Sequence, residues 1–130
     1  MQSKTFYLID DDEDEQYVFE LALADIDKAA RLIWRPDAQL AINELNGLSQ
    51  KPDYIFIDVN MPRLGGWQCL ELIRNIPYFS ETPIAIYSTS ASQSMRGNES
   101  RAALVSACIN KKPSIPELAT TLREFILQFP

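Results

Sequence analysis

Short apolar runs alternate with longer segments of helical spacing along the whole chain. Thr5-Phe6-Tyr7-Leu8-Ile9 is rich in β-favouring residues and stops at the acidic run Asp10–Glu15, after which Val18, Leu21, Ala22 and Leu23 recur at near-helical intervals. Arg31–Arg35 predicts a second strand, closed by Pro36, which cannot donate to a ladder. Leu40, Ala41, Leu45 and Leu48 make the stripe of a second helix, with Gly47 near its end. Tyr54–Ile57 is a continuous apolar run, the pattern of a central strand buried on both faces. The turn-rich Asn60–Gly66 leads into a third helix carrying Trp67, Leu70, Leu72 and Ile73. Ile84–Tyr87 predicts a fourth strand ending in Ser88-Thr89-Ser90, and Ala107–Asn110 a short fifth. Between them, Ala91–Ser106 has weak periodicity and contains Gly97; a fourth helix is expected there. The last helix is the plainest, with Ser114 and Glu117 at capping-box spacing and Leu118, Leu122, Phe125, Ile126 and Phe129 at steps of three and four.

Strands alternating with helices predict parallel β-α-β units: an α/β doubly wound, five-stranded parallel sheet with helices on both faces. With no linker or repeat in 130 residues, a single domain over 1–130 is expected. Ligands of such sheets bind beyond the carboxyl ends of the strands, where strand order reverses. The residues that end the strands are therefore the informative ones.

Composition narrows the function. At 46% apolar and 23% charged the chain is globular rather than disordered. A net charge of -6, with Lys and Arg scattered singly or in pairs, argues against direct nucleic-acid binding. The count of histidines is 0, which removes histidine-based nucleophile activation and any role for this chain as a phosphohistidine donor. Cys69 and Cys108 each sit in a mostly apolar stretch and read as buried thiols. No apolar run approaches the roughly 20 residues of a membrane span and no secretory segment precedes the acid run, so a cytoplasmic protein with no membrane association is expected.

Strand one ends in Asp10-Asp11, strand three in Asp58, strand four in Ser88-Thr89, and strand five leads into Lys111-Lys112. Each has an ordinary explanation by itself. Acids suit a helix N-terminus, an aspartate suits a turn, serines cap helices, and Lys112 is an unremarkable surface residue in isolation. Their joint occurrence on one sheet edge favours a shared site. Clustered carboxylates repel unless a cation sits among them, and hard oxygen donors of this kind favour Mg²⁺ together with phosphate oxygens. An aspartate can then act as nucleophile on phosphorus, with a lysine and a hydroxyl stabilising charge on the transferring group.

The segments Leu8-Ile9-Asp10-Asp11, Pro52–Pro62 around Asp58, Gly66, Pro83–Ser88 and Lys112-Pro113, in this order and spacing, resemble the receiver domains of two-component response regulators over essentially the whole chain. The resemblance implies a flavodoxin-like sheet of order 2-1-3-4-5 and a phosphoacceptor at Asp58. It implies Mg²⁺ held by Asp10, Asp11, Asp58 and the backbone carbonyl of Asn60, with Ser88 and Lys112 on the phosphoryl group. A cis peptide between Lys112 and Pro113 is part of the same expectation. So is a phosphohistidine donor on a sensor histidine kinase or phosphotransfer protein, with signalling through altered contacts to a downstream protein.

Three departures stand out: Ile109 replaces the usual aromatic residue three positions before the lysine, Leu104–Ala107 replaces a glycine-containing turn, and Gly97 falls inside the expected fourth helix. They predict signalling by ordering of the segment after Ser88 rather than by an aromatic flip. The expected function is a stand-alone, single-domain response regulator, not an enzyme beyond its own phosphorylation and dephosphorylation. A pseudo-receiver that binds proteins without phosphorylation is the alternative. An aspartyl phosphatase or phosphotransferase is disfavoured because Asn60 stands where such enzymes carry a second carboxylate.

Overall fold

A computed structural model describes residues 3–130. Strands β1 (Thr5–Ile9), β2 (Arg31–Arg35), β3 (Tyr54–Ile57), β4 (Ile84–Ser88) and β5 (Ala107–Asn110) form one sheet in the order β2-β1-β3-β4-β5, with every neighbouring pair parallel. Helices α1 (Glu13–Ile26), α2 (Ala38–Gly47), α3 (Gly66–Arg74) and α4 (Ile115–Gln128) cover its two faces. The register places Ile9 opposite Ile57 and Ile57 opposite Ile86, so the carboxyl ends of the central strands are level.

Alternation along the strands sorts the core into two layers. Tyr7, Ile9, Ile55, Ile57, Ile84 and Ile86 face α2 and α3, a largely aliphatic layer with Leu45, Leu70 and Ile73. Phe6, Leu8, Tyr54, Phe56 and Tyr87 face α1 and α4, where Phe19 and Phe125 complete an aromatic layer. Phe56 meets Phe19 and Phe125 edge-on, at 5.2 Å and 5.0 Å between centroids. Burying each such side chain contributes about 1.5–3 kcal/mol. This two-sided burial is why β1, β3 and β4 read as unbroken apolar runs.

The helices begin where side chains take over orphan amides. Asp12 accepts from Asp14 N at 2.9 Å, Asp37 from Leu40 N at 2.9 Å, and Ser114 from Glu117 N at 3.3 Å.

The expected fourth helix is absent from the described segment 91–106. Two 3₁₀ turns, Gln93–Met95 and Glu99–Leu104, stand there instead, separated by Gly97 at φ +81. A left-handed residue interrupts the helical hydrogen-bond ladder, and side chains hold the segment in its place. Trp67 Nε1 donates to Ser94 Oγ at 2.9 Å, and Ser94 Oγ donates to the Ala91 carbonyl at 2.6 Å. Ser92 N donates to Asn110 Oδ1 at 3.1 Å, while Arg74 Nε donates to the Leu104 carbonyl at 2.8 Å. No helix among the described residues is long and apolar enough to cross a membrane.

Candidate functional site

The level ends of β1 and β3 bring their terminal aspartates together. Asp10 N donates to the Arg35 carbonyl at 3.1 Å and Asp58 N to the Ile9 carbonyl at 2.9 Å, so both backbones extend the sheet by one residue. Asp10 is fully buried. Its Oδ1 accepts from Asp12 N at 3.0 Å, and its carbonyl accepts from Trp34 Nε1 at 2.7 Å. Asp58 is also buried, whereas Asp11 is exposed at the rim. Carboxylate oxygens of Asp10, Asp11 and Asp58 lie within 4.8 Å of one another. Asp12 stays outside this group as the cap of α1.

Lys111 closes the cluster. Its Nζ is 2.9 Å from Asp10 Oδ2 and 3.7 Å from Asp58 Oδ1. The Lys112 expectation is corrected here, because Lys111 N donates to the Ser88 carbonyl at 2.9 Å in continuation of β5. Successive residues of an extended chain point to opposite sides, so Lys111 aims at the acids. Lys112 turns toward Glu117, Thr120 and Thr121 on α4, lining a surface hollow of about 260 Å³. The peptides are trans throughout the described residues, including Lys112–Pro113, contrary to the expected cis bond. The lysine that reaches the acids precedes that peptide, so its aim does not depend on the proline isomer.

Moving the site lysine to Lys111 also moves the position three residues before it, from Ile109 to Cys108. Cys108 packs against the aliphatic layer and Ile109 against the aromatic one, both partly buried.

Ser88 ends β4 in a buried position beside Asp58, and its hydroxyl draws the Asp58 carboxyl downward. Burial outweighs this: the Asp58 pKa is raised, with Lys111 opposing the shift. Asp10 is raised to about 6, first by burial, against the pull of Lys111 and the Asp12 amide. Lys111 itself is raised, since Asp10 and Asp58 together outweigh its desolvation. Asn60 is exposed in the loop two residues beyond Asp58.

That loop returns on Gly66, whose N donates to the Val59 carbonyl at 2.9 Å. A Cβ on Gly66 would stand 2.2 Å from the Asp58 carbonyl oxygen, so only glycine lets α3 start this close to the site.

The donor set fits a hard divalent cation such as Mg²⁺. It consists of oxygens alone, and Asp10 Oδ2 is buried with no hydrogen bond, only the ionic contact to Lys111.

The family model for the response regulator receiver domain matches residues 6–123. The chain belongs to this family. The receiver is similar in structure to the phosphorylated cyanobacterial phytochrome response regulator RcpA, at TM-score 0.83 and 23% identity over 99% of this chain and 97% of that one. It is similar to the chemotaxis response regulator CheY4 of Vibrio cholerae, at TM-score 0.79 and 21% identity over 95% and 99%. A third likeness is to the receiver domain of the sensor histidine kinase PA1611 of Pseudomonas aeruginosa PAO1, which has magnesium coordinated in its active-site cleft. There the TM-score is 0.77 and the identity 24%, over 96% of this chain and 98% of that one. At these identities the likeness shows the shared fold. No curated protein matches the sequence of this receiver.

Sequence reasoning missed Lys111 as the site lysine and gave Tyr87 no role. The signal for Lys111 was the length of β5, which ends at Asn110 and makes Lys111 the first residue beyond it.

Proposed function

We propose that this receiver accepts a phosphoryl group on Asp58 from a phosphohistidine of a partner, a sensor histidine kinase or a phosphotransfer protein. The observation that carries the reading is the grouping of Asp10, Asp11 and Asp58 within 4.8 Å, with Lys111 Nζ 3.7 Å from Asp58 Oδ1, at the carboxyl edge of the sheet. In the transfer, an Asp58 carboxylate oxygen forms the new O–P bond as the N–P bond of the donor breaks. The electron pair of that bond leaves with the imidazole, which takes up a proton. Lys111 offsets charge on the phosphoryl oxygens and Ser88 offers them a hydrogen bond. Asp10, Asp11, Asp58 and the Asn60 carbonyl would hold Mg²⁺, which when bound supplies charge neutralisation on the transferring group.

The chemistry of the chain extends to gaining and losing its own phosphoryl group, and its output is a change in contacts with a downstream protein. A kinase phosphohistidine as donor puts that work in the cytoplasm. Incubation with Mg²⁺ and acetyl phosphate, followed by intact-mass measurement, tests the reading. The wild type is expected to gain one phosphoryl group and Asp58→Asn none. An unmodified wild type would favour a pseudo-receiver that binds proteins without phosphorylation.

A further inference from the structure

Tyr87 immediately precedes Ser88 on β4 and is wholly buried in the aromatic layer beneath α1 and α4. Phe19 and Phe56 hold its ring edge-on, at 5.7 and 6.1 Å between centroids. Two contacts tie it to the acid cluster. Its hydroxyl donates to the Glu15 carboxylate in the first turn of α1, and Lys111 Nζ lies 5.6 Å from its ring centroid.

Lysine carries its charge on a flexible four-carbon stem, and here the ammonium makes contact with Asp10 Oδ2 without a directed hydrogen bond. An aromatic face within about 6 Å attracts an ammonium and adds a fixed third partner to the two carboxylates. The ring can serve this way because Glu15 fixes its hydroxyl end while the phenylalanines fix its edges.

We propose that Tyr87, anchored by Glu15, is a positioning residue that keeps the Lys111 ammonium within reach of both Asp10 and Asp58. The inference rests on the phosphoacceptor reading of Asp58 for its consequence, though not for its geometry. It concerns where the ammonium sits before a phosphoryl group arrives, and it gives Glu15 a task beyond favouring the helix N-terminus.

The geometry is tested on the metal-free wild type by nuclear magnetic resonance. The Lys111 CεH₂ protons are expected to be shifted upfield by the Tyr87 ring current, and to lose part of that shift in both Tyr87→Phe and Glu15→Ala, each of which removes the anchoring hydrogen bond. A Lys111 resonance at the position of free lysine in the wild type overturns the proposal, whatever the folding of any variant.

The consequence is tested by phosphorylation with acetyl phosphate in Mg²⁺. Tyr87→Leu is expected to slow the reaction about tenfold, and Tyr87→Phe, which keeps the ring face but not the anchor, to slow it less. In a Lys111→Met background the Tyr87→Leu change should cost nothing further. Equal slowing in both backgrounds would make Tyr87 a packing residue only and overturn the inference. A wild type that shows the ring-current shift and gains no phosphoryl mass supports the placement of Lys111 and removes the phosphoacceptor reading instead.

Discussion

Lys111 Nζ stands 2.9 Å from the buried Oδ2 of Asp10, an ion pair that bridges the ends of β5 and β1 across the sheet edge. Neither strand is hydrogen-bonded to the other, since β3 and β4 lie between them. The pair therefore records the tertiary arrangement, and it separates Lys111 from its neighbour Lys112.

Replacing Lys111 by Ala should slow phosphorylation of Asp58 about a hundredfold, the loss typical of one preorganised charge-stabilising group. Lys112→Ala should leave the rate nearly unchanged, because Lys112 faces Glu117 on α4. Intact-mass time courses with acetyl phosphate compare the two. Equal effects would return Lys112 to the site.

The raised Asp10 carboxyl, at about 6, gives a pH dependence with a definite sign. Its folded pKa lies above its ordinary value, so between about pH 4 and 6 the folded metal-free protein holds a proton that the unfolded chain has released. Stability should fall as pH rises through that window and level off above it; Asp58, also raised, acts in the same direction. Mg²⁺ affinity should change oppositely, weakening as pH falls below about 6, because the ligands must be deprotonated. Urea titrations across pH, with and without Mg²⁺, measure both trends. Asp10→Asn should flatten the metal-free one.

Gly66→Ala would press a methyl group against the Asp58 backbone, where the contact would be 2.2 Å. Backbone cannot swing aside as a flexible side chain does, so the cost should reach about 3 kcal/mol, the upper end for overpacking. Urea unfolding would show it. Because Asp58 must shift to make room, Mg²⁺ affinity should fall in the same variant.

Ser94 accepts from Trp67 Nε1 and donates to the Ala91 carbonyl, which ties segment 91–104 to the start of α3 beside the site. Ser94→Ala strands a buried indole N–H and should cost about 1–2 kcal/mol. Hydrogen exchange should then speed up between Ala91 and Leu104. Phosphorylation of the wild type should slow exchange in that segment. A response confined to residues around Asp58 would show that the segment does not carry the signal.

The sequence determined by itself most of what local chemistry controls. The runs 5–9, 54–57 and 84–87 announce strands because a sheet covered on both faces demands apolar residues at nearly every position. The run 31–35 announces an edge strand through its apolar centre and the closing Pro36. Asp37 and Ser114 cap α2 and α4 through contacts only three residues long. The family motif around Asp58 marks the proposed phosphoacceptor from residues adjacent in sequence. Tertiary structure decided the rest. Lys111 rather than Lys112 joins the acids because its amide continues the pairing with β4 at the Ser88 carbonyl and its side chain falls on the side of Asp10, which two neighbouring lysines do not reveal. The segment after β4 forms 3₁₀ turns because Trp67, Arg74 and Asn110 supply partners from elsewhere in the fold. Tyr87 is one aromatic residue among many until Glu15 and Lys111, far away along the chain, converge on it. Contacts between distant residues arise only when the strands are stacked in order, and that order follows from packing the whole chain.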